Sequence, residues 1–141
     1  MRLQADFDNF RKRVARERAE WAQRAAEDVM KDLLPVLDHF DLALKGAAEH
    51  GAPKDVLEGL ALVYDQMIGA LAKHGLAMVV VEPATPFDPL QHEAVAHVPS
   101  EDIPADAVIQ QTRCGFRLGG RLLRPAQVVV SSGAPRSPVE S

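Results

Sequence analysis

Only one cysteine, Cys114, stands among the 141 residues. No intrachain disulfide is therefore available, and a single thiolate cannot build a cysteine-based zinc cluster. Aromatic residues make up 5% of the chain, so any core must be mainly aliphatic. No apolar run approaches the roughly 20 residues that a membrane span needs, and the N-terminus lacks the apolar stretch of a secretion signal. Together with the cysteine usage, these absences point to a soluble, cytoplasmic protein. The first 34 residues contain neither proline nor glycine, although ten prolines and nine glycines follow. That absence excludes turns from the start of the chain and predicts one uninterrupted helix over residues 1–34.

Hydrophobic residues make up 47% of the chain, which excludes global disorder. The net charge of −4 conceals an uneven distribution. Residues 1–25 carry seven basic and four acidic groups, residues 26–105 four basic and fourteen acidic, and residues 106–141 five basic and two acidic. A basic start, an acidic middle and a basic end point to charge complementarity with a protein partner rather than with nucleic acid.

Leu3, Phe7, Phe10 and Val14 follow the 4-3-4 spacing of a heptad seam. An eleven-residue repeat then extends the stripe through Arg18, Trp21, Ala25 and Val29, the signature of a nearly straight helix pair. A long helix with so little apolar surface needs a partner, which predicts dimerisation. Leu33, Leu37, Phe40 and Leu44 continue at helical spacing, with Pro35 expected to kink or break the helix. Gly46 and residues 50–53 end this segment. A further helix is expected over residues 55–75, with Leu57, Leu60, Tyr64, Met67, Ile68 and Leu71 on its apolar face and Gly75 as its cap. Two such helices form a hairpin, and two hairpins a four-helix bundle.

From Leu76 the pattern becomes that of short strands between proline-rich turns: residues 77–82, then residues 93–98. Two further arms, 108–118 and 121–131, flank Gly119-Gly120, a hairpin signal. Gly115 within the first arm points to a bulge or a close backbone approach. The expected class is α+β: a helical dimerisation region over 1–75 (long helix 1–34, bundle helices 33–50 and 55–75), a small β domain over 76–132 and a disordered tail over 133–141.

Catalysis is hard to build from these residues. None of the five histidines has a metal-binding spacing. His92 and Asp88 could pair as a general base, but a loop of this composition favours a structural role in which they tie down backbone groups. Gly119-Gly120 lacks the flanks of a phosphate loop. The run from Arg11 to Arg16 is interrupted by apolar seam positions and followed by acids, as expected of a solvated or partner-facing helix side. Cys114 reads as a partly buried bystander.

Four segments resemble one family. Leu3-Gln4-Ala5-Asp6-Phe7-Asp8-Asn9-Phe10-Arg11-Lys12-Arg13 resembles the end of the long helix in GrpE, the nucleotide exchange factor of DnaK-type chaperones. Leu33-Leu34-Pro35-Val36-Leu37-Asp38 is similar to that family's first bundle helix. Phe87-Asp88-Pro89-Leu90-Gln91-His92-Glu93-Ala94-Val95 is similar to its loop before the second strand, and residues 115–131 resemble its closing hairpin. The four occur in the family's order over residues 3–131.

The resemblance implies a homodimer with paired long helices, a four-helix bundle and two small β domains, one of which wedges into the chaperone's nucleotide-binding domain so that ADP leaves. It implies no catalysis and no cofactor. It places Arg121 and Val130 at chaperone-contact positions, although Val130 by its spacing alone reads as core. It matches Arg11 and Lys12 to a basic helix face that meets the chaperone, lets Phe87 to Pro89 shape the wedge, and matches Gly59 to a bundle glycine approached by another backbone. Leu37, Phe40, Leu60 and Met67 are the expected bundle and dimer residues. Two departures stand out. Members of the family usually carry a disordered arm and many more helical turns before the position of Met1. Gln127 also stands where the family commonly has an apolar residue. The rival expectation is a coiled-coil scaffold without exchange activity, which would not need the Gly115–Ser131 hairpin.

Overall fold

The computed structural model describes residues 2–135. It is α+β: helices α1 (Arg2–Glu49) and α2 (Lys54–Ala72) precede strands β1 (Leu76–Val79), β2 (His92–Val98), β3 (Val108–Arg113), β4 (Gly115–Leu118), β5 (Arg121–Arg124) and β6 (Ala126–Ser131). The chain divides into two compact units, Met1–Ala43 and Leu44–Ser141.

The first unit lies within α1, which runs unbroken for 48 residues with Pro35 inside it. Of the expected kink or break at Pro35, the break does not occur. Proline removes only its own backbone donor, and both Pro35 and Lys31, whose carbonyl loses that donor, are exposed, so water can satisfy the orphaned oxygen. The buried residues of α1 are Glu27, Met30, Leu34 and Leu37, at 3-4-3 spacing. Upstream of them Leu3, Phe7, Phe10 and Trp21 are exposed.

In the second unit α1 ends on Gly51, which takes a left-handed φ of 75°. The Gly51 amide donates to the Ala48 carbonyl at 3.3 Å and the Ala52 amide to the Ala47 carbonyl at 3.0 Å, a Schellman stop that Pro53 then enforces. Gly46, by contrast, lies inside the helix. In α2 no residue is fully buried. Leu57, Ala61, Tyr64, Ile68 and Leu71 form a half-buried stripe, while Val56, Leu60 and Val63 form a second, exposed one beside it. Gly75, at φ 95°, turns the chain out of α2, and its carbonyl accepts the Gly119 amide at 3.1 Å.

The six strands form two three-stranded sheets. One has the order β1-β4-β5 and is antiparallel; the other has the order β2-β6-β3, with β2 parallel and β3 antiparallel to β6. The expected hairpin around Gly119-Gly120 exists, but each arm changes sheet midway. The breaks fall at Cys114 and Pro125. Pro125 has no amide to offer across the hairpin, and the Cys114 carbonyl instead accepts the Arg124 Nε at 3.0 Å. The Arg124 guanidinium lies 5.0 Å from the centroid of the buried Phe116 ring, which fixes its course. Gly115 sits at this corner as the close approach that its sequence position predicts.

Alternation along β6 puts Ala126, Val128 and Val130 into one core with Val79, Val81 and Val108, while Gln127 and Val129 face the other way. Gln127 therefore needs no compensation for a place in that core. Ser131 is also buried; its hydroxyl donates to the Ile103 carbonyl at 2.7 Å and accepts the Gly133 amide at 3.0 Å. Gly133, where the expected tail begins, is thus held, and the Ser100 amide donates to its carbonyl at 2.9 Å. The rest of the expected tail, residues 136–141, lies outside the described residues.

Candidate protein-binding surface

Arg121 is exposed at the start of β5, paired in register with Leu118. Both residues of the preceding turn have positive φ, 56° at Gly119 and 86° at Gly120, the backbone of a tight type I′ hairpin turn. The turn projects Arg121 from the edge strand of the three-stranded β1-β4-β5 sheet rather than from a loop. Arg117, one strand away, directs its Nη1 at the Gly120 carbonyl at 3.5 Å.

The loop before β2 is built around Asp88. Its carboxylate accepts the Leu90 amide at 3.0 Å and the Gln91 Nε2 at 3.0 Å. Its carbonyl accepts the amides of Gln91 at 3.1 Å and His92 at 2.8 Å. Its own amide donates to the His92 Nδ1 at 3.0 Å. The Asp88 carboxyl is held below the usual carboxylate range, first by the Leu90 amide and then by Gln91; burial opposes this, and His92 and Arg117 add smaller attractions. His92 is buried with its Nδ1 occupied, so Asp88 and His92 tie backbone groups together as the structural reading of the loop expects. Gln91 is a third member that its sequence position alone does not mark.

Two expected contact residues are placed otherwise. Val130 is 1% exposed within the core, so its side chain offers no surface to a partner. The alternation of β6 decides this, as the spacing of the residues alone implies. Phe87 is partly buried against the same core, with its ring centroid 5.8 Å from that of His92. It shapes the loop from beneath, while Pro89 and Leu90 are exposed.

On α1, Arg11 and Lys12 are exposed. The Arg11 guanidinium stands 5.8 Å from the Phe7 ring centroid and that of Arg13 5.5 Å from Phe10, so both cations lie along the apolar seam. Phe10, Arg11, Val14, Ala15 and Arg18 line a shallow depression there. On α2, Gly59 is exposed, and nothing lies within 4 Å of the position a Cβ would take. Leu60 is also exposed, and Phe40 and Met67 are half-buried. Among the described residues no cluster of His, Cys, Asp and Glu could hold a metal ion, and no helix is long and apolar enough to cross a membrane.

The family model described as GrpE matches residues 1–132. The chain belongs to the GrpE family. It is 43% identical over 131 residues to Protein GrpE of Nitratidesulfovibrio vulgaris, covering 93% of this chain and 68% of the relative. It is 40% identical over 131 residues to Protein GrpE of Parageobacillus thermoglucosidasius, covering 93% and 58%. It is 37% identical over 130 residues to Protein GrpE of Methanosarcina barkeri, covering 92% and 62%. The chain thus spans about three-fifths of the length of several curated GrpE relatives, while the match takes in both helices and all six strands.

Proposed function

We propose that this GrpE-family chain is a nucleotide exchange factor of a DnaK-type chaperone in the cytoplasm. Its membership of the family across residues 1–132 carries the reading. In this reading the β head over residues 76–132 binds the chaperone's nucleotide-binding domain and holds its cleft open, so that ADP leaves and ATP enters. The factor itself makes and breaks no bond and needs no cofactor. Its work is differential binding: it prefers the open chaperone to the closed one and shifts that population. A 10²-fold shift requires about 2.7 kcal/mol of preference.

The exposure of Arg121 at the start of the edge strand β5 supports its role as the charged contact, where a planar guanidinium suits a carboxylate. Arg11 and Lys12 form a second basic contact on α1, and Pro89 belongs to the wedge with Phe87 beneath it. A homodimer completes the reading. The helical region over residues 1–75 pairs two copies, with Leu37, Phe40, Leu60 and Met67 in a four-helix bundle and Gly59 where a second backbone approaches. The stripe of Val56, Leu60 and Val63, exposed in the single chain, supports that pairing.

The test is release of a fluorescent ADP analogue from a DnaK-type chaperone, with and without this protein, with Arg121→Ala alongside. The reading expects faster release that the variant largely loses. Equal acceleration by both proteins would remove Arg121 from the contact. No acceleration by a folded wild type would leave a dimeric scaffold without exchange activity.

A further inference from the structure

Leu90 is 81% exposed, more than any other large apolar side chain described in the head, where Val80 follows at 58%. Single exposed leucines are ordinary on protein surfaces; this one differs in how it is held. It occupies the tip of a turn, where polar residues and glycine are the rule. The turn is not slack. The Leu90 amide is bound by the Asp88 carboxylate, and the Gln91 and His92 amides are bound by the Asp88 carbonyl. The Gln91 carbonyl accepts the Ala126 amide at 3.0 Å, which fastens the turn to the core strand β6. An apolar side chain on an immobilised backbone loses little conformational entropy on docking, as the anchor residues of protein interfaces require.

Its neighbour Pro89, exposed on the same turn, is the wedge residue of the exchange-factor reading, so Leu90 extends that proposed contact face by one position. The head therefore offers a fixed apolar knob beside the wedge. We propose that Leu90 is an anchor that enters an apolar pocket on the nucleotide-binding domain of the chaperone. The assignment rests on the exchange-factor reading and adds to it a contact residue that the resemblance does not supply.

The experiment uses the full chain as wild type, Leu90→Ser and Leu90→Met, and measures calorimetric affinity for a nucleotide-free DnaK-type chaperone together with the melting temperature of each protein. The expected result is an affinity loss of about tenfold or more for Leu90→Ser, equivalent to about 1.4 kcal/mol, with an unchanged melting temperature and near-wild-type binding by Leu90→Met. Wild-type affinity in Leu90→Ser overturns the anchor and leaves the exchange reading intact. A fall in melting temperature that accounts for the lost affinity also overturns it, because Leu90 would then act on the fold. A folded wild type that neither binds the chaperone nor accelerates ADP release overturns both.

Discussion

A Cβ on Gly115 would stand 2.6 Å from the amide nitrogen of Ala126, with the Arg124 carbonyl oxygen at 2.9 Å and the Pro125 carbonyl carbon at 3.0 Å. All three neighbours are backbone atoms at the corner where the long hairpin passes from one sheet to the other, so no side chain can swing aside. Gly115→Ala is expected to destabilise the head by about 1–3 kcal/mol or more, the range for overpacking a well-filled site. Urea unfolding measures this directly, and an unchanged midpoint would mean that the corner yields.

Asp88 gives the head an acid-sensitive lock. Its folded pKa is lowered, chiefly by the Leu90 amide, so its stabilising contribution is present above the unfolded carboxylate value of about 3.9. That contribution is lost as the pH falls through the lowered folded value. Asp88→Asn is therefore expected to show a shallower loss of urea resistance than wild type as the pH is taken from about 5 toward 2. Parallel curves for the two proteins would show that the carboxylate charge contributes nothing.

Two α2 glycines test the proposed homodimer. Nothing lies within 4 Å of a Cβ at either Gly59 or Gly69. In an isolated helix both alanine substitutions would stabilise by about 1 kcal/mol. Gly59, however, borders the exposed Val56–Leu60–Val63 stripe, whereas Gly69 falls on the helical side shared with Glu58 and Asp65. Gly69→Ala is expected to raise the melting temperature. If two copies pair as proposed, Gly59→Ala is expected to weaken that dimer about tenfold or more in sedimentation equilibrium, or about 1.4 kcal/mol. Stabilisation by both would place the dimer contact elsewhere.

Ser131 joins two segments that lie outside the strands, through the Ile103 carbonyl and the Gly133 amide. Ser131→Ala removes both bonds at a fully buried position and is expected to cost about 1–3 kcal/mol. Hydrogen exchange should quicken first at the amides of Gly133 and of Ile103, which donates to the Ser100 hydroxyl at 3.1 Å. Uniform quickening across β6 would show the loss to be global.

Local rules made much of this fold legible. The proline-free and glycine-free start gave its helix, Gly51 the stop of α1 and Gly119-Gly120 the turn, whereas α2 ends at Ala72 with Lys73, not Gly75, as its cap. They failed where a rule depends on surroundings. Pro35 breaks a helix only if its orphaned carbonyl cannot be satisfied, and sequence does not show that exposure. The division of the hairpin between two sheets required Arg124 to replace a missing amide at Cys114, a side-chain substitution with no periodic signature beyond Pro125 itself. Among the site residues, the period-two pattern of β6 already made Val130 core, and positional matching to a family displaced that simpler inference. Leu90 has no sequence signal, because apolar residues in loops carry no pattern until their backbone hydrogen bonds are known.

The place of β6 in the order of synthesis has a consequence for how the head is made. It is the last of the six strands along the chain, yet it lies between β2 and β3 and supplies three residues of the core. During translation the helices can form from local contacts as they emerge, but β2 and β3 have no common neighbour until β6 has left the ribosome. Nascent chains stalled before residue 126 should therefore carry helix and an unassembled head, with Val79, Val81 and Val108 open to solvent and to chaperones.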